Sequence, residues 1–229
     1  MDWTLAIHRN REALKGIIAA LFAMAGLASL GMASTLPRHV YAAVMLVLRP
    51  AESAVRRLII IAARGLVLKP RASRPVPAGV ASFASASVSG GTAFQLIDPL
   101  KHFSADMWND DGPAFVYVDE FSDQAFAYHH AQSTDTPIPA GHIFQRLHAL
   151  SRALEDLPRE ARRLARWQAR QDLEFENRKT NSAPFKPMRR SPFRPGLPPG
   201  YRQRQTHEVD EVLRECHRLA LYSARPDTG

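Results

Sequence analysis

Arginine carries most of the chemistry that this sequence offers. Eight arginines fall at spacings that gather them on helix faces: Arg56, Arg57 and Arg64 in one segment, and Arg159, Arg162, Arg163, Arg166 and Arg170 in another. A guanidinium stays charged at any working pH and presents five N–H donors in a planar fork, a shape that fits carboxylates and phosphates. These eight are the candidate contacts to an anionic partner. Anionic lipid headgroups and an acidic protein partner are the leading choices. Nucleic acid comes behind them, because no interleaved set of stacking aromatics or known binding module accompanies the arginines.

A reaction is much harder to assemble. There is no G-x-S-x-G, no P-loop, no G-x-G-x-x-G and no H-E-x-x-H. Cys216 is the single cysteine, so no intramolecular disulfide can form, and any zinc site would have to rely on His and carboxylates. His217 is adjacent to Cys216 in sequence but lies about 100° round the helix from it, so the two do not converge as nucleophile and base. His207 and Glu211 share a face without further ligands. Asp106, Asp110 and Asp111 lack the alternating spacing and glycine of a calcium loop. His129-His130 and His142 stand without partners. No catalytic residue, cofactor or metal is expected, and the chain reads as non-catalytic.

The element that must position the arginines is the uncharged stretch Gly16–Leu36. As one helix its twenty-one residues would span about 31 Å, close to the hydrocarbon thickness of a bilayer. It is therefore expected to be a single transmembrane helix. Two other readings compete: a cleaved signal peptide, with Gly31-Met32-Ala33 as a small-x-small site, and a buried helix of a soluble domain. Ala25, Ser29 and Ala33 recur every four residues, a spacing that lets two helices approach but arises readily in alanine-rich sequence.

Behind the span, Val40–Leu48 is too short to cross a bilayer, and Arg49-Pro50 is expected to break it from Ala51–Leu68. On a helical wheel Glu52, Ser53, Arg56, Arg57 and Arg64 share an arc of about 140°, opposite Val55, Leu58, Ile59 and Leu66. That pattern predicts basic amphipathic helices lying on the membrane surface, with a second helix packed on the first as the alternative. The positive-inside rule then favours a single-pass protein of the cell inner membrane with its C-terminal part in the cytoplasm.

Charge along the chain runs basic, acidic, basic: net +8 over residues 1–74, −7 over 75–145 and +7 over 146–229. Residues 69–140 read as a flexible linker, first Pro- then Ala/Ser/Gly-rich. Phe94–Phe103 is expected to form one turn or short strand at most. Residues 104–135 hold seven acids and no Lys or Arg, with Trp108, Phe115, Tyr117, Phe121, Phe126 and Tyr128 interleaved. Such acidic–aromatic alternation stays disordered or docks on a basic surface, here the chain's own Arg-rich face.

Residues 141–177 read as a helical pair. Ile143, Leu147, Leu150 and Leu154 form one apolar stripe, and Pro158 fits the first turn of a second helix. In that helix the five arginines from Arg159 to Arg170 share an arc of about 100°, with Ala161, Leu164 and Ala165 behind them. Residues 178–205 carry eight basic residues, six prolines and no acid, the composition of an extended basic tether. The last helix, within 206–224, has Thr206 as a candidate N-cap and an apolar stripe of Val209, Val212, Leu213, Cys216, Leu219 and Ala220. It is expected to pack on the helical pair.

The fold class that follows is mainly α: a tail and single N-terminal transmembrane helix (1–36), basic amphipathic juxtamembrane helices (37–68), disordered linkers and a small C-terminal helical unit. The matching function is a single-span membrane adaptor or scaffold. A nucleic-acid-associated basic protein and a secreted protein cleaved after Ala33 are the alternatives.

Overall fold

The first apolar stripe of the chain, Leu14, Ile17, Ile18 and Leu21, follows helical spacing, and it does form a helix. In the computed structural model α1 runs Trp3–Met24, capped by the Asp2 side chain, which accepts from the Leu5 N–H at 3.1 Å. The structure describes residues 2–26, 35–68, 93–99, 137–180 and 191–224. The Ala/Ser/Gly linker, the acidic–aromatic stretch with Ala114–Val118 and His129-His130, and the Gly31–Ala33 cleavage motif all lie outside the described residues.

The expected transmembrane helix is not formed. Gly16–Met24 is the second half of α1. Ala25 caps it, Gly26 turns the chain at φ 74°, and Thr35–Leu36 is already a short strand, β1. Among the described residues no helix is long and apolar enough to cross a membrane. The physical reason is visible in the packing: Leu14, Ile17, Ile18 and Leu21 are buried against protein. Their transfer out of water is satisfied by a neighbouring helix.

That neighbour is α2, Arg38–Ala62, which passes through Pro50 without a break. A proline inside a helix leaves the carbonyl four residues earlier without its usual donor. Here the orphan is the Leu46 carbonyl, and Arg202 donates to it at 2.5 Å. Gly200 lies directly against Pro50. The C-terminal half of α2 is enclosed on all sides, with Ala51 and every residue from Ser53 to Ile61 buried. Its apolar residues therefore do not face lipid. Losing one large side chain here, such as Leu58 to alanine, costs about 2–5 kcal/mol.

After β2, Ile138–Pro139, which pairs antiparallel with β1, come α3 (Gly141–Glu155) and α4 (Leu157–Thr180). They are separated by Asp156 alone, at φ −118° and ψ 60°, and its carboxylate accepts from the Arg159 N–H at 3.1 Å. Pro158 sits in the first turn of α4, where its missing N–H is harmless. The last helix, α5, spans Glu208–Ser223. Its N-cap is His207 rather than Thr206: His207 Nδ1 accepts from the Val209 N–H, and the Asp210 carboxylate accepts from the His207 and Thr206 N–H groups. The apolar stripe of α5 is buried chiefly against α2 and α1 rather than against the α3–α4 pair. The five helices of the described residues all feed one core with α2 at its centre.

Candidate functional site

The residues Arg49, Glu52, Ser53, Arg56 and Arg57 follow helical spacing and so line one side of α2. The structure turns that side inward. Arg56 and Arg57 are 4% and 1% exposed, which removes them as contacts to a membrane surface. A buried guanidinium needs a counter-charge. Arg57 finds it in Asp98, forty-one residues on, through a two-pronged contact of 2.7 and 2.5 Å, and donates also to the Ser53 carbonyl.

Asp98 belongs to a strap, residues 93–99, held down by buried Phe94 and Leu96. Arginines from two helices fasten the strap. Arg56 donates to the Gln95 carbonyl at 3.0 Å, and Arg163 of α4 donates to the Phe94 carbonyl while pairing with Glu160. The Asp98 N–H donates to the Pro192 carbonyl, which ties the strap to the 191–205 segment. Phe193 from that segment stacks on Arg57, with 5.7 Å from guanidinium carbon to ring centroid.

The charge chain continues outward. Glu52 pairs with Arg56 at 3.5 Å and takes a fork from Arg146 of α3 at 2.8 and 2.9 Å. Burial pulls Arg56 below the ordinary arginine value, against the opposing charges of Glu52 and Asp98. Burial acts the same way on Arg146, but the hydrogen bond and charge of Glu52 outweigh it and raise the value.

This network forms the floor of a cleft of about 900 Å³ between the N-terminal half of α2, Arg146, and the loop from Arg194 to Arg202. Six arginines line it (Arg38, Arg49, Arg56, Arg146, Arg194 and Arg202) against one carboxylate, Glu52. Arg194 and Arg202 are engaged with the backbone carbonyls of Leu197 and Leu46. Arg38 and Arg49 are exposed and have no ion pair among the described residues. Met45, Leu46, Leu197 and Pro198 add apolar wall, and Tyr41 and Tyr201 add aromatic edge. Among the described residues lining the cleft, the one carboxylate, Glu52, is already paired with two guanidiniums.

The other sequence candidates are placed elsewhere. Arg64 is exposed at the end of α2, its guanidinium 4.7 Å from the Trp3 ring centroid. Arg159, Arg162, Arg166 and Arg170 are exposed on α4, and Arg163, at the edge of the same arc, is half-buried at the strap. Cys216 is fully buried and its thiol is pushed up to about 12, chiefly by burial. Among the described residues no group of His, Cys, Asp or Glu is placed to hold a metal. Arg38, Arg49, Arg146, Arg194 and Arg202 of the cleft, and the buried Asp98 of the strap, are the residues that local reading missed. The available signal was the alternation of Phe94, Leu96 and Asp98, one face of a short extended piece. Comparison with protein-family models, curated proteins and solved structures finds no match to this chain.

Proposed function

We propose that this protein is a non-catalytic helical adaptor whose arginine-lined cleft receives an acidic polypeptide segment of a partner. The observation that carries the reading is the pair of exposed rim arginines, Arg38 and Arg49, left without a counter-ion among the described residues beside a cleft lined by six arginines and one carboxylate. The walls favour a polypeptide over the alternatives. Met45, Leu46 and Leu197 offer apolar contact that a nucleic acid backbone would not use, and the concave shape suits a chain better than a flat bilayer surface. The adaptor role is proposed without the lipid-spanning anchor that the uncharged N-terminal stretch first suggested.

Fluorescence anisotropy with a labelled twenty-residue Glu/Tyr peptide, titrated with protein up to millimolar concentration, tests this. Salt-sensitive binding that Arg38→Glu with Arg49→Glu weakens about tenfold or more supports the reading, since charge reversal at a rim acts mainly on complementarity. Equal affinity of the double variant refutes it. So does retention of a twenty-base-pair DNA or of phosphatidylglycerol vesicles with no binding of the peptide.

A further inference from the structure

The question of what meets the unmatched rim charge has a candidate within the chain. Pro99, where the strap ends, lines the cleft, and so does Ile138, where the chain returns as β2. The residues between these two points include 104–135, with seven acids and no Lys or Arg. Both exits of the most acidic stretch of the sequence therefore stand on the margin of its most basic concavity. Position 138 is fixed there by the pairing of Leu36 with Ile138, and Pro99 by the buried anchor of its neighbour Asp98.

We propose that the acidic segment 104–135 is the resident occupant of this cleft, and that an outside acidic partner binds by displacing it. The proposal rests on the cleft being a receptor for acidic polypeptide, as argued above. Charge complementarity supports it: the segment carries seven carboxylates and no Lys or Arg, and the cleft is lined by six arginines, of which Arg38, Arg49 and Arg194 have no ion pair among the described residues. So does the matching apolar chemistry. Trp108, Phe115 and Tyr117 in the segment complement Met45, Leu46 and Leu197 in the wall.

Reach is no obstacle, since an extended chain covers about 3.3 Å per residue and the flanking residues Pro99 and Ile138 line the cleft. A segment tethered this closely has an effective concentration on the order of 1 mM. If the free segment bound with a dissociation constant of about 10–100 µM, competition would weaken an outside acidic ligand by about 10- to 100-fold. The exposed arginines of α4 are the rival surface. They lie on one helix face, whereas Pro99 and Ile138, which flank the acidic segment, line the cleft.

The experiment compares the full chain with a full-length variant in which Asp106, Asp110, Asp111, Asp119, Asp123 and Asp135 become Asn and Glu120 becomes Gln. Circular dichroism and urea unfolding first establish that the variant is folded. Both are titrated with the labelled Glu/Tyr peptide. The neutralised chain is expected to bind at least tenfold more tightly than the wild type, and Arg38→Glu with Arg49→Glu on that background is expected to remove the gain. Equal affinity of wild type and neutralised chain, with the double Arg variant still weaker, overturns the resident segment and leaves the adaptor reading standing. No binding to either chain overturns both.

A second measurement does not depend on the sevenfold variant. Arg49→Lys places an amine in the cleft, and Arg166→Lys places one on α4. Zero-length carbodiimide coupling followed by peptide mass mapping is expected to join position 49 to a carboxylate within 104–135. Coupling of that segment to position 166 alone overturns the proposal.

Discussion

Asp98→Ala removes the only carboxylate in hydrogen-bond contact with Arg57 among the described residues. Both side chains are 1% exposed, and the contact is two-pronged at 2.7 and 2.5 Å. The substitution also takes away the 3.6 Å ion pair to Arg56, leaving that guanidinium with Glu52, which is shared with Arg146. After the change Arg57 keeps one acceptor among the described residues, the Ser53 carbonyl at 3.2 Å, and its Nε has no partner among them even in the intact protein. Two charge-assisted hydrogen bonds at about 1.5–3 kcal/mol each set the scale. Stranding one member of a buried ion pair costs about 3–5 kcal/mol, which agrees with that sum. A domain of this size has about 5–15 kcal/mol in all, so the variant keeps little stability or none. Urea unfolding followed by circular dichroism is the assay. With a slope of about 2 kcal/mol per molar, the midpoint is expected to fall by about 1.5–2.5 M. The companion Arg57→Met with Asp98→Leu removes both charges and is expected to recover at least half of the loss, because buried pairs are often replaceable by apolar side chains of similar volume. A midpoint shift below about 0.5 M for Asp98→Ala would refute the buried-anchor reasoning, as would a double variant no better than the single one.

Gly200→Ala is expected to cost about 2–4 kcal/mol, read as a drop of several degrees in Tm, because a Cβ there would meet the Pro50 nitrogen at 2.6 Å and Gly200 holds φ 77°. An unchanged Tm would show that the loop does not seat against α2 as described. Cys216 is expected to resist thiol reagents in the folded protein and to react fully in denaturant, since only the thiolate attacks and burial raises its pKa to about 12. Rapid labelling of the native chain would contradict its placement. His217 sits below the ordinary histidine value, through burial and then the charge of Arg57. The unfolded chain then takes up its proton first as pH falls, so stability is lost as pH drops below about 6.5. His217→Gln is expected to flatten that slope in unfolding experiments between pH 7 and 5; parallel slopes for the two proteins would remove histidine as the cause.

Local pattern was a good guide wherever a helix is specified by its own residues. The stripe of Ile143, Leu147, Leu150 and Leu154, the early Pro158, the run of arginines on α4 and the acidic first turn of α5 each act within a few residues of themselves, and each is found where spacing put it. The destination of apolar surface was not legible in this way. Leaving water is favourable whether the far side is lipid or protein, so the uncharged residues of α1 looked the same in either case until α2 was seen covering Ile17, Ile18 and Leu21. The same holds for charge. The wheel grouped Arg56 and Arg57 with Glu52, but only the arrival of Asp98, forty-one residues beyond Arg57, made that side interior. Pro50 stays inside one helix because Arg202, 156 residues beyond Leu46, supplies the donor that proline withholds. Periodicity fixes which residues share a face, because it depends on the backbone repeat alone; what that face meets depends on partners distant in sequence, and only folding brings those together.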